Sequence, residues 1–215
     1  MAKSGGTGGT QTMENRRPLK TRSAGWAQAL GRGLAAIGLS PNAISTIGIA
    51  FAAVGAWCFL HVGESRWFWI GGATCIQLRL LANMLDGLVA VESGKASATG
   101  PLFNELPDRA EDALLLVAAG YAVGDPALGY GACILAFATA YIRATGGALG
   151  FAQDFVGPMA KQHRMFTLTL GSLLAFFFAA WPVMQWTLWL LIAGAALTCA
   201  IRTSRIATLL KGKQA

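Results

Sequence analysis

Six apolar stretches recur along this 215-residue chain, at about 43–62, 67–91, 104–124, 127–148, 164–182 and 185–205, each near the length that crosses a bilayer. Within lipid a lone segment can satisfy its own backbone N–H and C=O groups only as a helix. The expected fold class is therefore all-α and integral to a membrane: six transmembrane helices with an N-terminal amphipathic surface helix. Charged residues make up 13% of the chain, against about a quarter in a soluble domain. The third stretch is strictly apolar only from Ala113 to Val123. Its polar first turns make sense if they line a cavity; a re-entrant or short buried helix is the alternative.

Charge sets the orientation. With six spans both termini share one side with the connections at 92–103 and 149–163, and of the lysines and arginines only Arg66 falls in an opposite-side connection. The positive side is the cytoplasm, and a bacterial inner membrane is the expected location. The net charge of +7 is then a matter of topology and anionic lipid, so no nucleic-acid partner is needed. No cleavable leader is expected, because no apolar core precedes residue 24. Cys58, Cys75, Cys133 and Cys199 all fall in the apolar stretches without metal-ligand spacing, and serve as small buried residues.

Residues 1–16 are glycine-rich and polar, and are expected to be a disordered tail. Residues 17–39 place Trp26, Leu30, Leu34 and Ile37 at helical spacing among Arg17, Lys20, Arg22 and Arg32. That pattern predicts a helix on the cytoplasmic membrane face or one packed on the bundle. Ser40-Pro41 then opens the membrane domain, residues 40–207, with a serine N-cap and a proline in the first turn. Residues 208–215 are a basic cytoplasmic tail. Tryptophans 57, 67, 69, 181, 186 and 189 gather near the far ends of the spans, as in an interfacial belt.

Polar residues break the apolar background at two places. Asn83 and Asp86 are one helical turn apart, as are Asn104 and Asp108, so each pair shares a face of its own helix. Polar groups at membrane depth are costly and mark a site by default. Topology brings both pairs to the cytoplasmic side, opposite the cations Arg143, Lys161 and Arg164. Arg79, one turn before Asn83, should pair with a carboxylate of the site or stand in for a cation missing at Val91.

The frame Asn83-x2-Asp86-Gly87-x2-Ala90-Val91-x8-Gly100-x3-Asn104-x3-Asp108 resembles the D-x2-D-G-x2-A-R-x8-G-x3-D-x3-D motif of the CDP-alcohol phosphotransferase family of membrane enzymes. Leu39-Ser40-Pro41-Asn42-Ala43-Ile44-Ser45-Thr46 is similar to the start of that family's first membrane helix, and the resemblance covers roughly residues 17–205. It implies transfer of a phosphatidyl-type group from a CDP-linked lipid, such as CDP-diacylglycerol, to a small alcohol, with release of CMP. It further implies Mg²⁺ or Mn²⁺, one or two ions, on Asn83, Asp86, Asn104 and Asp108. Asp108 would be the general base, and Asn42, Gly87, Ala90 and Gly100 would receive the CDP group. Arg143, Lys161 and Arg164 would bind the acceptor, which their charge suggests is phosphorylated. Enzymes of this kind commonly pair, so a homodimer is expected.

Asparagine replaces aspartate at 83 and 104, and valine replaces arginine at 91. The four motif positions thus carry two negative charges where the family pattern carries four, which favours one ion or weaker binding of two. Glu92, Glu105, Glu111 and Asp112 are near enough to compensate. Asp108-x3-Asp112 offers a second register with the same closing spacing. The functional alternatives are a catalytically degenerate lipid- or nucleotide-binding member and a small transporter, the latter leaving the Gly and Asp spacing unexplained.

Overall fold

The computed structural model describes residues 25–92 and 100–214, which form seven helices and no strand among the described residues. They are α1 (Gly25–Ala36), α2 (Pro41–Leu60), α3 (Trp67–Glu92), α4 (Gly100–Ala122), α5 (Pro126–Ala148), α6 (Lys161–Phe177) and α7 (Val183–Gln214). The expected tail 1–16, the start of the amphipathic segment, residues 93–99 and the side chain of Asn104 lie outside the described residues.

Helix starts follow local chemistry. The Ser40 hydroxyl accepts the Ala43 N–H at 3.2 Å and Pro41 enters the first turn of α2, as the sequence predicts. Asp125 accepts from Leu128 N–H ahead of Pro126 and starts α5 in the same way. Helix α7 does not stop near 205: with no glycine cap or proline before residue 212, it continues through the basic tail to Gln214.

α2, α3, α5 and α7 are long and apolar enough to cross a membrane. α4 carries Glu105, Asp108, Arg109, Glu111 and Asp112, and α6 has 17 residues, so neither qualifies on length and apolarity. The packing explains both. α4 lies between α2 and α5, and α6 lies between α3 and α7, so their polar faces turn inward. The apolar core runs through Phe59, Ile76, Leu115, Leu116, Met165, Leu168, Leu188 and Leu191. Where α4 crosses α5 the backbones touch: a Cβ on Gly129 would lie 2.7 Å from the Leu116 carbonyl. Small residues permit such approach between helices in lipid.

α1 rests on α3 through Ala27 and Gly31, whose missing side chain leaves room for Leu88. Trp26, Leu30 and Ile37 face outward, and only Leu34 of the expected apolar stripe is half-buried. Close approach selects the small residues for the bundle and leaves the large ones exposed.

Candidate functional site

The carboxylates and amides converge where the C-terminal half of α3, the first turns of α2 and α4, and the start of α6 meet. Asn83 and Asp86 leave α3 one turn apart. The Asn83 amide donates to Asp108 Oδ1 at 2.9 Å and to Glu111 Oε2 at 2.8 Å. Asp86 is 7% exposed, and its Oδ2 accepts the Ser45 hydroxyl of α2 at 2.7 Å. Lys161, the first residue of α6, places its ammonium on Asp108 Oδ1. Arg109 Nη2 stands 3.8 Å from the other Asp108 oxygen, beyond hydrogen-bond reach.

One turn deeper is a fully buried ion network. Asp112 Oδ1 accepts from both terminal nitrogens of Arg79, at 3.1 and 3.0 Å, and its Oδ2 accepts from Arg164 at 2.5 Å. The Arg79 Nε lies 2.9 Å from Glu111 Oε2. Arg79, Glu111 and Asp112 are all 0% exposed. Arg79 therefore pairs with acidic groups beside the site, as expected of a cation inside a span. With both oxygens bound to guanidinium groups, Asp112 ties α3, α4 and α6 together and does not offer the second register a free base.

The expected cations thus separate. Lys161 joins the carboxylates. Arg164 does not face an open wall: it is 1% exposed and bonded to Asp112 and, at 3.4 Å, to the Met159 carbonyl. The cause is depth: Arg164 lies one turn further along the same face of α6 than Lys161, and so meets Asp112 one turn further along α4 than Asp108. Arg143 on α5 forms a station of its own, 2.5 Å from Glu105 and 3.2 Å from Gln153, with its guanidinium over the Phe155 ring. Asn42 is half-buried one turn before Ser45; Gly87 and Ala90 are half-buried on α3, and Gly100 opens α4.

Sequence reasoning passed over three participants. Ser45 lies at i+3 from Asn42, a spacing that could have flagged it. Gly48 follows Ser45 on the same face of α2; a Cβ there would come 2.7 Å from Glu111 Oε1 and 3.1 Å from Asn83 Oδ1. Arg202 of α7 is 4% exposed and donates to the Val156 and Thr139 carbonyls, fixing the connection before α6.

The donors suit a hard divalent cation: carboxylate and amide oxygens without sulfur or imidazole. Glu111 Oε1 is buried with no hydrogen-bond partner among the described residues, and it packs close to Gly48 together with Asn83 Oδ1. Among the described residues no three acidic, histidine or cysteine side chains form a set able to hold an ion. An ion held here would draw on amide as well as carboxylate oxygens. A cavity of about 330 Å³ at the opposite end of the bundle, lined by Val62, Arg66, Trp69 and Trp181, holds no carboxylate and offers no comparable chemistry.

No family model matches the chain. It is 29% identical over 182 residues to the phosphatidylinositol phosphate synthase of Mycobacterium marinum, covering 80% of this chain and 76% of that one. It is 26% identical over 188 residues to the enzyme of the same name from Mycobacterium tuberculosis, covering 83% and 84%. The crystal structure of the M. tuberculosis phosphatidylinositol phosphate synthase in complex with manganese and citrate superposes with a TM-score of 0.74 at 23% identity, over 85% of this chain and 89% of that one. The same protein with CDP-DAG bound gives a TM-score of 0.73 at 24% identity, over 85% and 94%. The chain is an integral membrane protein with the fold of the mycobacterial phosphatidylinositol phosphate synthase.

Proposed function

We propose that this chain is a metal-dependent CDP-alcohol phosphotransferase of phospholipid synthesis, moving the phosphatidyl group of CDP-diacylglycerol to a phosphorylated alcohol of the inositol phosphate class and releasing CMP. The observation that carries this is the junction of Asn83, Asp86, Asp108 and Lys161 at one end of a lipid-embedded bundle. The names of the relatives support the acceptor class, and the CDP-DAG complex of the structural neighbour supports the donor. All six helices from α2 to α7 span the membrane in this proposal, with both termini and the site in the cytoplasm. A second copy of the chain completes a homodimer.

Asn83, Asp86 and Asp108 would hold Mg²⁺ or Mn²⁺, joined by Asn104 from the next turn of α4. Bound there, the ion supplies positive charge that neutralises the diphosphate and stabilises the leaving CMP. Ser45 fixes the Asp86 carboxylate by hydrogen bond. Asp108 Oδ1 is occupied by Asn83 and Lys161, which leaves Oδ2 to take the proton of the acceptor hydroxyl. The acceptor oxygen then bonds to the phosphorus that carries diacylglycerol, and the diphosphate P–O bond breaks with its electron pair leaving on CMP. Asn42, Gly87, Ala90 and Gly100 surround the CDP group. Arg143 and Lys161 face the acceptor phosphate, while Arg164 acts through Asp112 as a positioning residue.

The test is CMP release from CDP-diacylglycerol by the purified protein, with inositol phosphate, glycerol 3-phosphate, inositol and serine as acceptors and Mg²⁺ or Mn²⁺ present. Metal-dependent release with inositol phosphate, abolished in Asp108→Asn, is the expected result. No release with any acceptor, with nucleotide binding retained, would show a degenerate binding protein instead.

A further inference from the structure

The charge missing at position 83 has a local replacement. Four acidic residues near the motif could restore it, and three are otherwise engaged. Glu92 is exposed at the end of α3. Glu105 is bonded to Arg143, and both oxygens of Asp112 are held by Arg79 and Arg164. Glu111 is different. Its Oε2 accepts from Asn83 and lies against Arg79, while Oε1 is buried and unpartnered.

An unpartnered carboxylate oxygen in a fully buried side chain is costly unless something positive meets it. Asn83 turns its amide nitrogen toward Asp108 and Glu111, so its Oδ1 points toward Gly48, which Glu111 Oε1 also approaches. Two oxygens from different helices thus converge on Gly48, close enough that a side chain there would displace them. We infer that Glu111 is a ligand of the divalent cation and carries the negative charge that the family pattern places at position 83. The inference rests on the metal-dependent transferase proposed above. It assigns one carboxylate, on α4, to the role of another, on α3, with the Asn83–Glu111 hydrogen bond joining the two positions.

The test is Mn²⁺ binding by the full-length protein in detergent, read by electron paramagnetic resonance of free Mn²⁺ and independent of turnover. Glu111→Gln keeps the size and an oxygen toward Arg79, which Asp112 also holds. It should weaken Mn²⁺ binding at least tenfold. Adding Asn83→Asp returns the negative charge at the neighbouring position; the double variant should bind within about threefold of the parent, as expected for an exchange that conserves net charge. Should Glu111→Gln fail to fold, Glu111→Asp retains the charge opposite Arg79 but withdraws the oxygen, and it too should bind Mn²⁺ more weakly. Parent-like binding by either folded single variant, or no rescue by Asn83→Asp, overturns the assignment. Absence of saturable Mn²⁺ binding in the parent overturns both the assignment and the metal-dependent reaction, whereas parent binding with unaffected variants overturns the assignment alone.

Discussion

Asp112→Asn is the substitution whose cost the structure defines best. Asp112 is fully buried and neutralises two guanidinium groups, of which Arg79 retains Glu111 and Arg164 retains only the Met159 carbonyl. Removing one partner of a buried ion pair costs about 3–5 kcal/mol, because the remaining charge is left uncompensated. For a chain of this size each kcal/mol moves the melting point by about 2–4 °C, so the expected drop is about 6–20 °C. Arg164→Met should cost less, since Asp112 keeps Arg79. Combining the two removes charge and countercharge together, and the double variant should melt above Asp112→Asn alone. The assay is thermal unfolding in detergent, followed by tryptophan fluorescence. A drop below about 2 °C for Asp112→Asn, or strictly additive losses in the double variant, would refute the network as a determinant of stability.

Other perturbations separate the roles of individual groups. Ser45→Ala removes the hydroxyl that orients Asp86 and should lower Mn²⁺ affinity or turnover about 10- to 100-fold, the range typical of a group that orients a metal ligand, as measured by Mn²⁺ titration and CMP release. Lys161→Met frees Asp108 from an ammonium; losing one charge-assisted hydrogen bond, worth about 1.5–3 kcal/mol, should tighten Mn²⁺ binding roughly tenfold or more. Arg143→Gln should raise the KM for a phosphorylated acceptor about tenfold and leave that for CDP-diacylglycerol unchanged; an equal rise in both would deny it an acceptor role. Gly129→Ala puts a methyl group 2.7 Å from the Leu116 carbonyl, and the α4–α5 crossing should lose about 1–3 kcal/mol in thermal unfolding without an equivalent loss of Mn²⁺ affinity.

The order of the helices was legible in the sequence because bilayer length and apolarity act locally. The Ser40-Pro41 start and the pairing of Arg79 were legible for similar reasons: a cap is made within one turn, and a cation inside a span needs an anion nearby. Contacts that depend on how one helix is rotated against another were not. Lys161 and Arg164 look equivalent as cations beside the fifth span, yet one reaches Asp108 and the other is buried on Asp112. Glu111 and Asp112 are adjacent in sequence, but only Glu111 keeps an unpartnered oxygen. Ser45 shares a face with Asn42, but that it and Gly48 reach the site depends on α2 lying against both α3 and α4. The apolar stripe of α1 left a membrane-facing and a bundle-packed helix open; that Ala27 and Gly31 fit against α3 while Trp26 and Leu30 stay exposed depends on that contact.

The Arg79–Glu111–Asp112–Arg164 network also bears on how the protein enters its membrane. A charged residue at the centre of a lone helix costs about 2.5–3.5 kcal/mol to insert, so α4, with Asp108, Arg109, Glu111 and Asp112, is a poor candidate for insertion by itself. During synthesis α3 emerges first with Arg79, α4 follows with the two carboxylates that meet it, and Arg164 arrives later on α6. In the six-span arrangement proposed here, α3 and α4 enter lipid most favourably as a pair. α4 then carries an acid that gains its second cation only after residue 164 has been made. In that arrangement assembly is cooperative from residue 79 to residue 164, about two fifths of the chain, and the same charges that support the site set its order.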